Sequence, residues 1–257
     1  MIYYPISTLM LSGIREMVII STPEHINMYK EIIYNIGNIG VEFSFLTQIE
    51  PKGIAESLIL SEEYLDGAPC SLILGDNILF GRGFSKLLQK ANNEVEESTI
   101  FSYYVNNPNQ YGVLSFDKEN KIKSIIEKPN TFISNLAVTG LYFYDKHAPK
   151  LAKKLKPSKR GELEITDLNN FFLKEKMIHV ESLESEFKWL DTGTFNSLIE
   201  ASKFIKSIEK IKGFKVGCLE EIAFKKGYIS KDELLKQAEN LKTSSYGVYL
   251  INKFIKH

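Results

Sequence analysis

The sequence predicts an α/β fold: a Rossmann-like mixed sheet flanked by helices, with a small helical appendage at its C-terminal end. Three observations predict it. Over the first third, apolar β-rich runs alternate with helical patterns, the signature of parallel βαβ units. The middle is strand-rich, with STIFSYYV (98–105), YGVLSF (111–116), KIKSIIEKP (121–129) and AVTGLYFYD (137–145). The end is helical, which divides the chain into an α/β domain at 1–212 and an appendage at 213–257.

The elements follow in order. Ile2, Ile6, Leu9 and Met10 share one face at helical spacing, Gly13 stops that helix, and Glu16 to Ile20 reads as a buried strand. Pro23 opens a helix through Ile36, and VEFSFL (41–46) is the next strand. A helix from Gly53 to Tyr64 leads to the strand CSLILGD (70–76). With the strands of the middle, these units predict one continuous sheet with a substrate-binding half. A helix then starts at about Arg160 or Glu162, followed by a strand near HVESL (179–183), FKWLDTGT (187–194) and a long helix from Phe195 to Lys212. EEIAFKKGYI and two helical stretches complete the chain, with no repeats, low-complexity tracts or long linker.

Composition narrows the classes. The 257 residues are 44% hydrophobic and 25% charged, enough for a core without disulfide or metal staples. Lys+Arg and Asp+Glu are both 32, so there is no electrostatic case for nucleic acid or an anionic membrane surface. Cys70 and Cys218 lie far apart without metal spacing, as in a protein of the reducing cytoplasm, and Cys70 reads as a buried free thiol. His25, His147, His179 and His257 show no ligand spacing. No stretch has the length of a membrane span, and the apolar start lacks the basic leader and cleavage site of a signal peptide.

Several residues have the chemistry of a phosphate site. LILGDN puts Asp76 at the end of a buried strand, where ligands of open α/β sheets collect, although a turn Asp capping the next segment has the same look. Asp191 in WLDTGT precedes a helix and reads equally as an N-cap. Together the two acids make a candidate Mg²⁺ site, since Mg²⁺ takes one or two carboxylates plus substrate phosphates. Lys128 in EKP and Arg160 in RGELEITD have the point charge and fork that hold a phosphate monoester; solvated surface charge is the plainer reading. QIEPKGIAE (48–56) is a Pro-Gly loop entering a helix, able to offer backbone N–H groups to a nucleotide. No Ser-His-Asp or Cys-His constellation supports covalent catalysis.

MIYYPISTLMLSGIRE, VIISTPE, TQIEPKGIAES, LILGDNILFG, NQYGVLSFD, IEKP, NLAVTGLYFYD, LKPSKRGELEITDLN, WLDTGTFNSLIEAS and EEIAFKKGYI occur in this order along the whole chain. In this the sequence resembles the sugar nucleotidyltransferases, and within them the glucose-1-phosphate thymidylyltransferases. The resemblance implies a nucleotide-diphospho-sugar transferase fold and the Mg²⁺-dependent reaction of dTTP with glucose 1-phosphate to dTDP-glucose and pyrophosphate, for deoxysugar (rhamnose-type) synthesis. It implies that Asp76 and Asp191 hold the metal, that Gln48 and Gly53 read the thymine, that Tyr111, Gly112, Glu127 and the backbone near Val138 contact the glucose, and that Lys128 and Arg160 hold its phosphate, Lys128 with a catalytic part. It implies a homo-oligomer, a tetramer.

The resemblance also sets expectations about what this chain lacks. In the family MIYYP follows a first strand, a Gly-rich loop of the type G-G-x-G-T-R and a segment with an essential Lys, so the first strand and the triphosphate loop are expected to be absent here and catalysis impaired. Glu56 stands where the family has Gln, and Ile126 replaces the first Glu of a Glu-Glu-Lys-Pro. Glu221, Ile222 and Lys225 fall in a stretch that resembles the family's regulatory site, with Lys225 in place of Arg. Two alternatives stand beside this reading: a non-catalytic subunit or fragment that oligomerises with an intact homologue, and a related transferase using another nucleotide or sugar.

Overall fold

In a computed structural model, which describes residues 1–94 and 96–254, the chain opens with helix α1 (Tyr3–Ser12), stopped at Gly13 as the sequence predicts. Strand β1 (Glu16–Ser21), helix α2 (Ile26–Ile36) and strand β2 (Glu42–Thr47) form a βαβ unit whose strands pair in parallel, Glu16 opposite Glu42 through Ser21 opposite Thr47. The helix expected over 53–64 is two short pieces, α3 (Glu56–Leu60) and α4 (Glu62–Leu65), which part at Ser61. The run 70–76 is likewise shorter. Strand β3 covers Cys70–Ile73, a turn carries Asp76, and a new strand β4 (Asn77–Gly81) follows.

Helix α5 (Phe84–Asn93) was not expected, although Phe84, Leu88 and Ala91 are spaced for a buried helical face. Four strands of the middle follow: β5 (Ser98–Tyr104), β6 (Gly112–Phe116), β7 (Ile122–Glu127) and β8 (Leu136–Tyr144). Then come α6 (Ala148–Ala152), α7 (Ile165–Lys174), β9 (Ile178–Leu183), β10 (Phe187–Asp191) and α8 (Phe195–Lys212). Helix α7 begins later than Arg160 or Glu162, because residues 158–164 fold back as a loop in which Ser158 N–H donates to the Glu162 carbonyl at 2.8 Å and Leu163 N–H to the Lys52 carbonyl at 2.7 Å. The end of the chain holds three helices rather than two: α9 (Leu219–Lys225), α10 (Lys231–Asn240) and α11 (Ser245–Phe254).

The expected single sheet is three. The main one runs β7-β6-β8-β5-β9, with β3 added on β8. The β1–β2 ribbon stands apart from it, and β4 pairs with β10 as an antiparallel ribbon. Among the described residues β1 pairs only with β2 and β3 only with β8, so the edges that a continuous sheet would join are open. Cys70 is therefore half-buried rather than buried, since it lines the cavity beside that open edge.

Core packing explains where the pieces sit. α7 and Tyr142, Leu114 and Ile125 of the sheet share one apolar cluster, while α5 packs on the opposite face with Phe101, Leu141 and Trp189. A further cluster unites Met10 of α1, Met17 of β1 and Ile33 of α2 with Leu219, Leu234 and Leu250 of the three last helices. The appendage is thus buried against the N-terminal βαβ unit. No described helix is long and apolar enough to cross a membrane.

Glu221 on α9 ties this cluster together. Its carboxylate accepts from Lys225 at 2.6 Å, from Lys253 at 2.8 Å and from the Tyr249 hydroxyl. Burial alone would raise its pKa, but these donors hold it below the usual carboxylate value. A lowered folded-state pKa adds stability above the unfolded value and loses it as pH falls through the folded one. Glu221→Gln is therefore expected to lower the Tm at neutral pH, with the difference from the parent chain shrinking as the pH falls through the lowered folded-state pKa, read by melting curves across pH.

Candidate functional site: two aspartates at a sheet seam

Strand β8 changes partner part-way along one edge. Its C-terminal half pairs with β3, from Cys70 opposite Tyr144 to Ile73 opposite Leu141, and its N-terminal half with β6, Val113 opposite Ala137. On its other edge the register with β5 jumps from Ile100–Tyr142 to Ser102–Val138, a bulge around Gly140. The chain leaving β3 turns at this seam: Leu74 N–H donates to the Gly140 carbonyl at 2.9 Å, and Asn77 N–H to the Leu74 carbonyl at 3.2 Å.

Asn77 locks the turn. Its buried Oδ1 accepts from Gly140 N–H at 3.1 Å and from Trp189 Nε1 at 2.6 Å, while its Nδ2 donates to Asp76 Oδ1 at 2.9 Å. A Cβ at Gly140 would lie 2.6 Å from that Oδ1, so only glycine lets the bulge come so close. Asp76 itself is exposed beyond the clamp.

Asp191 is delivered by the β4–β10 ribbon, whose register sets it opposite Asn77. Thr192 then donates twice to the Asp76 carbonyl, from N–H at 3.0 Å and from Oγ1 at 2.7 Å. Gly193 N–H donates to Asp191 Oδ1 at 3.0 Å. The point where a Cβ on Gly193 would stand lies 3.2 Å from Asp191 Oδ1 and 3.6 Å from Asp76 Oδ2, so both carboxylates face one small space. Asp191 therefore does not act as the helix cap; Thr194 caps α8, accepting from Ser197 N–H at 3.1 Å.

Electrostatics agree with this convergence. Burial and then the neighbouring Asp76 charge raise the Asp191 pKa, against the Gly193 hydrogen bond and the positive charge of Lys128. Tyr111, packed at a tilt against Trp189 with ring centroids 5.0 Å apart, has its hydroxyl pKa raised by burial and then by Asp191 and Asp76. Two like charges held together favour a divalent cation between them. No third His, Cys, Asp or Glu joins them among the described residues. Two carboxylates with room for phosphate oxygens suit Mg²⁺ better than a metal that demands a full protein cage.

A second group borders the pair. Gly112 opens β6 opposite Glu127 at the end of β7, and Thr166 at the start of α7 donates its hydroxyl to Glu127 Oε2. Lys128 follows with φ 41°, a left-handed conformation uncommon outside glycine, and its N–H donates to the Tyr111 carbonyl at 3.0 Å. Arg160 is near, 3.7 Å from Glu127, but its fork is engaged: Nε and Nη2 donate to the two oxygens of Glu164 at 3.1 and 2.7 Å. Burial raises the Glu164 pKa less than Arg160, Ser158 and Lys128 lower it. Val138 buries its side chain in the core with Leu114 and Ile125, so only its backbone is available.

A third group is built on the loop after β2. Gln48 donates from Nε2 to the Gly53 carbonyl at 3.2 Å and to Glu56 Oε2 at 2.6 Å. Gly53 has φ 98°, and a Cβ there would stand 2.5 Å from the Leu163 carbonyl oxygen. The loop is thereby pressed against residue 163, next to Glu164 and the Arg160 fork. Gln48 and Gly75 line one cavity, with no hydrogen bond among the described residues joining Gln48 to Asp76. Glu221, Ile222 and Lys225 stand apart from these groups, on α9 within the appendage.

Comparison with known proteins gives the site its context. The family model for nucleotidyl transferases matches residues 1–208. A glucose-1-phosphate thymidylyltransferase of Neisseria meningitidis serogroup A is 42% identical over 98% of this chain and 87% of its own length. That of Xanthomonas campestris pv. campestris is 44% identical over 97% and 85%. The chain belongs to the glucose-1-phosphate thymidylyltransferase family of nucleotidyl transferases.

Solved structures agree. A Bacillus anthracis protein assigned as a glucose-1-phosphate thymidylyltransferase, crystallised with sucrose, superposes with a TM-score of 0.69 at 33% identity, over 79% of this chain and 81% of that one. A UDP-glucose pyrophosphorylase in complex with UDP-glucose gives 0.66 at 25% identity, over 80% and 86%.

Sequence reasoning missed Asn77, Thr166, Glu164 and Thr192. The signal for Asn77 was its place after Asp76 with Trp189 in the partner strand; the others act through folds that spacing does not show. Asn77→Ala would leave Trp189 Nε1 and Gly140 N–H unpaired in the interior, a loss of about 2–6 kcal/mol at roughly 1–3 kcal/mol per buried orphan. Denaturant unfolding of the variant beside the parent chain reads the loss.

Proposed function

We propose that this chain carries out the reaction of its family: an oxygen of glucose 1-phosphate forms a bond to the α-phosphorus of dTTP, the bond to the bridging oxygen breaks, and pyrophosphate leaves with the electron pair. The convergence of Asp76 and Asp191 on the space beside Gly193 carries this reading. The two carboxylates would hold Mg²⁺, which supplies positive charge to the phosphate oxygens when bound. Asn77 and Gly193 orient those carboxylates.

The other assignments belong to the same proposal. Lys128 brings a positive charge that acts on Asp191, and the positive charge of Arg160 lies beside Glu127, Glu162 and Glu164 until a sugar phosphate competes for it. Gly112, Glu127, Tyr111 and the backbone at Val138 line the sugar side. Gln48 and Gly53 face the base; Gln48 donates to Glu56, which fixes its amide with the carbonyl oxygen left to accept from the N–H of a thymine ring. The helices from α9 to α11 form a regulatory appendage around Glu221, Ile222 and Lys225, in a cytoplasmic homo-oligomer; residues 255–257 of the expected appendage lie outside the described residues.

Asp191→Asn tests the central assignment by two measurements. Removing one preorganised charged contact should cut pyrophosphate release with dTTP, glucose 1-phosphate and Mg²⁺ by about 10²–10³-fold. The same change removes a carboxylate whose raised pKa makes its charged form unfavourable in the fold. Stability from such a group is present below the unfolded pKa and lost as pH rises through the folded one. At neutral pH without metal the variant should therefore melt no lower than the parent chain, and added Mg²⁺ should stabilise the parent only.

A further inference from the structure

The side-chain amide of Gln48 is held between two acceptors. Its Nε2 donates to the Gly53 carbonyl at 3.2 Å and to Glu56 Oε2 at 2.6 Å. A carbonyl and an ionised carboxylate only accept, so turning the amide over would set Oε1 against two oxygens with no proton between them. Both amide protons are therefore used inside the loop. Oε1 is the polar atom that Gln48 has left to show a ligand, and no donor among the described residues bonds it. Gln48 shares its cavity with Gly75, the residue before Asp76.

Glu56 holds the amide more firmly than Gly53 does. Its bond is the shorter of the two, and charge-assisted hydrogen bonds are about twice as strong as neutral ones. Among the described residues no Lys or Arg pairs with Glu56; Lys52, the cation nearest in sequence, pairs with Glu50 at 2.9 Å. The backbone under Glu56 is fixed as well. Ala55 is fully buried and donates its N–H to the Leu163 carbonyl at 3.3 Å, and Leu163 N–H donates to the Lys52 carbonyl at 2.7 Å. The segment from Lys52 to Ala55 is thus fastened to one residue at both ends, and the carboxylate stands on a rigid base.

We propose that Glu56 is a positioning residue that sets base selectivity: it keeps Gln48 Oε1 as a fixed acceptor, which admits a pyrimidine with a ring N–H and turns away one with a bare ring nitrogen at that place. The inference rests on the reading of Gln48 as the base contact. Thymine and uracil carry a proton on N3. Cytosine has a lone pair there, and two lone pairs that face each other leave both atoms without a partner. An amide free to turn would meet either edge; an amide held by a carboxylate meets only one. Glu56 acts through Gln48 and not on the substrate.

The test measures the Kd of dUTP and of dCTP with Mg²⁺ by calorimetry on the full 257-residue chain. The two nucleotides share sugar and phosphates and differ only along the N3–C4 edge of the base. The parent chain is expected to bind dUTP tighter than dCTP by roughly tenfold or more, the effect of one mismatched polar contact. Glu56→Gln keeps the shape of the side chain, but its amide can turn and donate to Gln48 Oε1, so the ratio should fall to near one through a gain in dCTP binding. Glu56→Lys, whose ammonium only donates, should turn the Gln48 amide over and favour dCTP. A gain in affinity is not the effect of a damaged fold, and if the Lys variant fails to fold the parent and Gln ratios decide. No preference in the parent, an unchanged ratio in Glu56→Gln, or equal tightening of both nucleotides, which is loss of charge repulsion alone, would overturn the proposal. Pyrophosphate release with dTTP and glucose 1-phosphate reads the reaction separately. Turnover without base preference defeats the role of Glu56 and leaves the reaction standing; selective binding without turnover does the reverse. Binding of neither nucleotide defeats the role of Glu56 together with the base contact it rests on.

Discussion

The site depends on one short contact set: the two hydrogen bonds that Asn77 Oδ1 accepts from Gly140 and Trp189. They fasten the turn after β3 to the bulge in β8 and, at the same time, to the strand that brings Asp191. A metal pair needs two carboxylates from distant parts of the chain held within a few ångströms of one another. Residues 76 and 191 are far apart in sequence, and the side chain between them belongs to a residue that is neither. Its amide reaches Asp76 with the nitrogen and the core with the oxygen, so the position of the first acid is set by the interior of the protein. Thr192 repeats the coupling from the other side by donating twice to the Asp76 carbonyl.

This arrangement gathers repulsion where function needs it. Two acids converge, burial and then the neighbouring Asp76 charge raise the pKa of Asp191, and the interior bonds hold the pair in place. The surroundings of Arg160 show the complementary pattern. There Arg160 is surrounded by Glu127, Glu162 and Glu164, and its charge is balanced before any phosphate arrives. A phosphate that took the fork would have to displace Glu164, which makes that carboxylate a gate on affinity.

Much of the fold was legible in the sequence. Gly13, the 18-residue helix ending at Lys212 and the apolar strands of the middle follow from periodicity and end signals that act locally. The rest was decided by tertiary contacts. Ser61 splits an amphipathic stretch that reads as one helix, and the hydrogen bond from Leu163 to Lys52 holds residues 158–164 out of α7. Periodicity describes one segment at a time, and so it predicts a continuous sheet without testing whether each edge has a partner. For the site, residue chemistry reached Asp76, Asp191, Lys128 and Arg160. Convergence of the first two depends on a strand register that spacing does not encode, and Arg160's fork on Glu164 follows from a loop rather than from the helix expected there.

The central claim is that Asp76 and Asp191 act as one unit on one cation. A double-mutant cycle tests it most directly: Mn²⁺, a paramagnetic substitute for Mg²⁺, is titrated in the presence of dTTP into the parent chain, Asp76→Asn, Asp191→Asn and the double variant, with bound metal read by electron paramagnetic resonance. If the pair holds one ion, each single variant loses nearly as much affinity as the double, and the losses do not add. Additive losses, or a single variant that binds as the parent does, would show two separate acids and contradict the account.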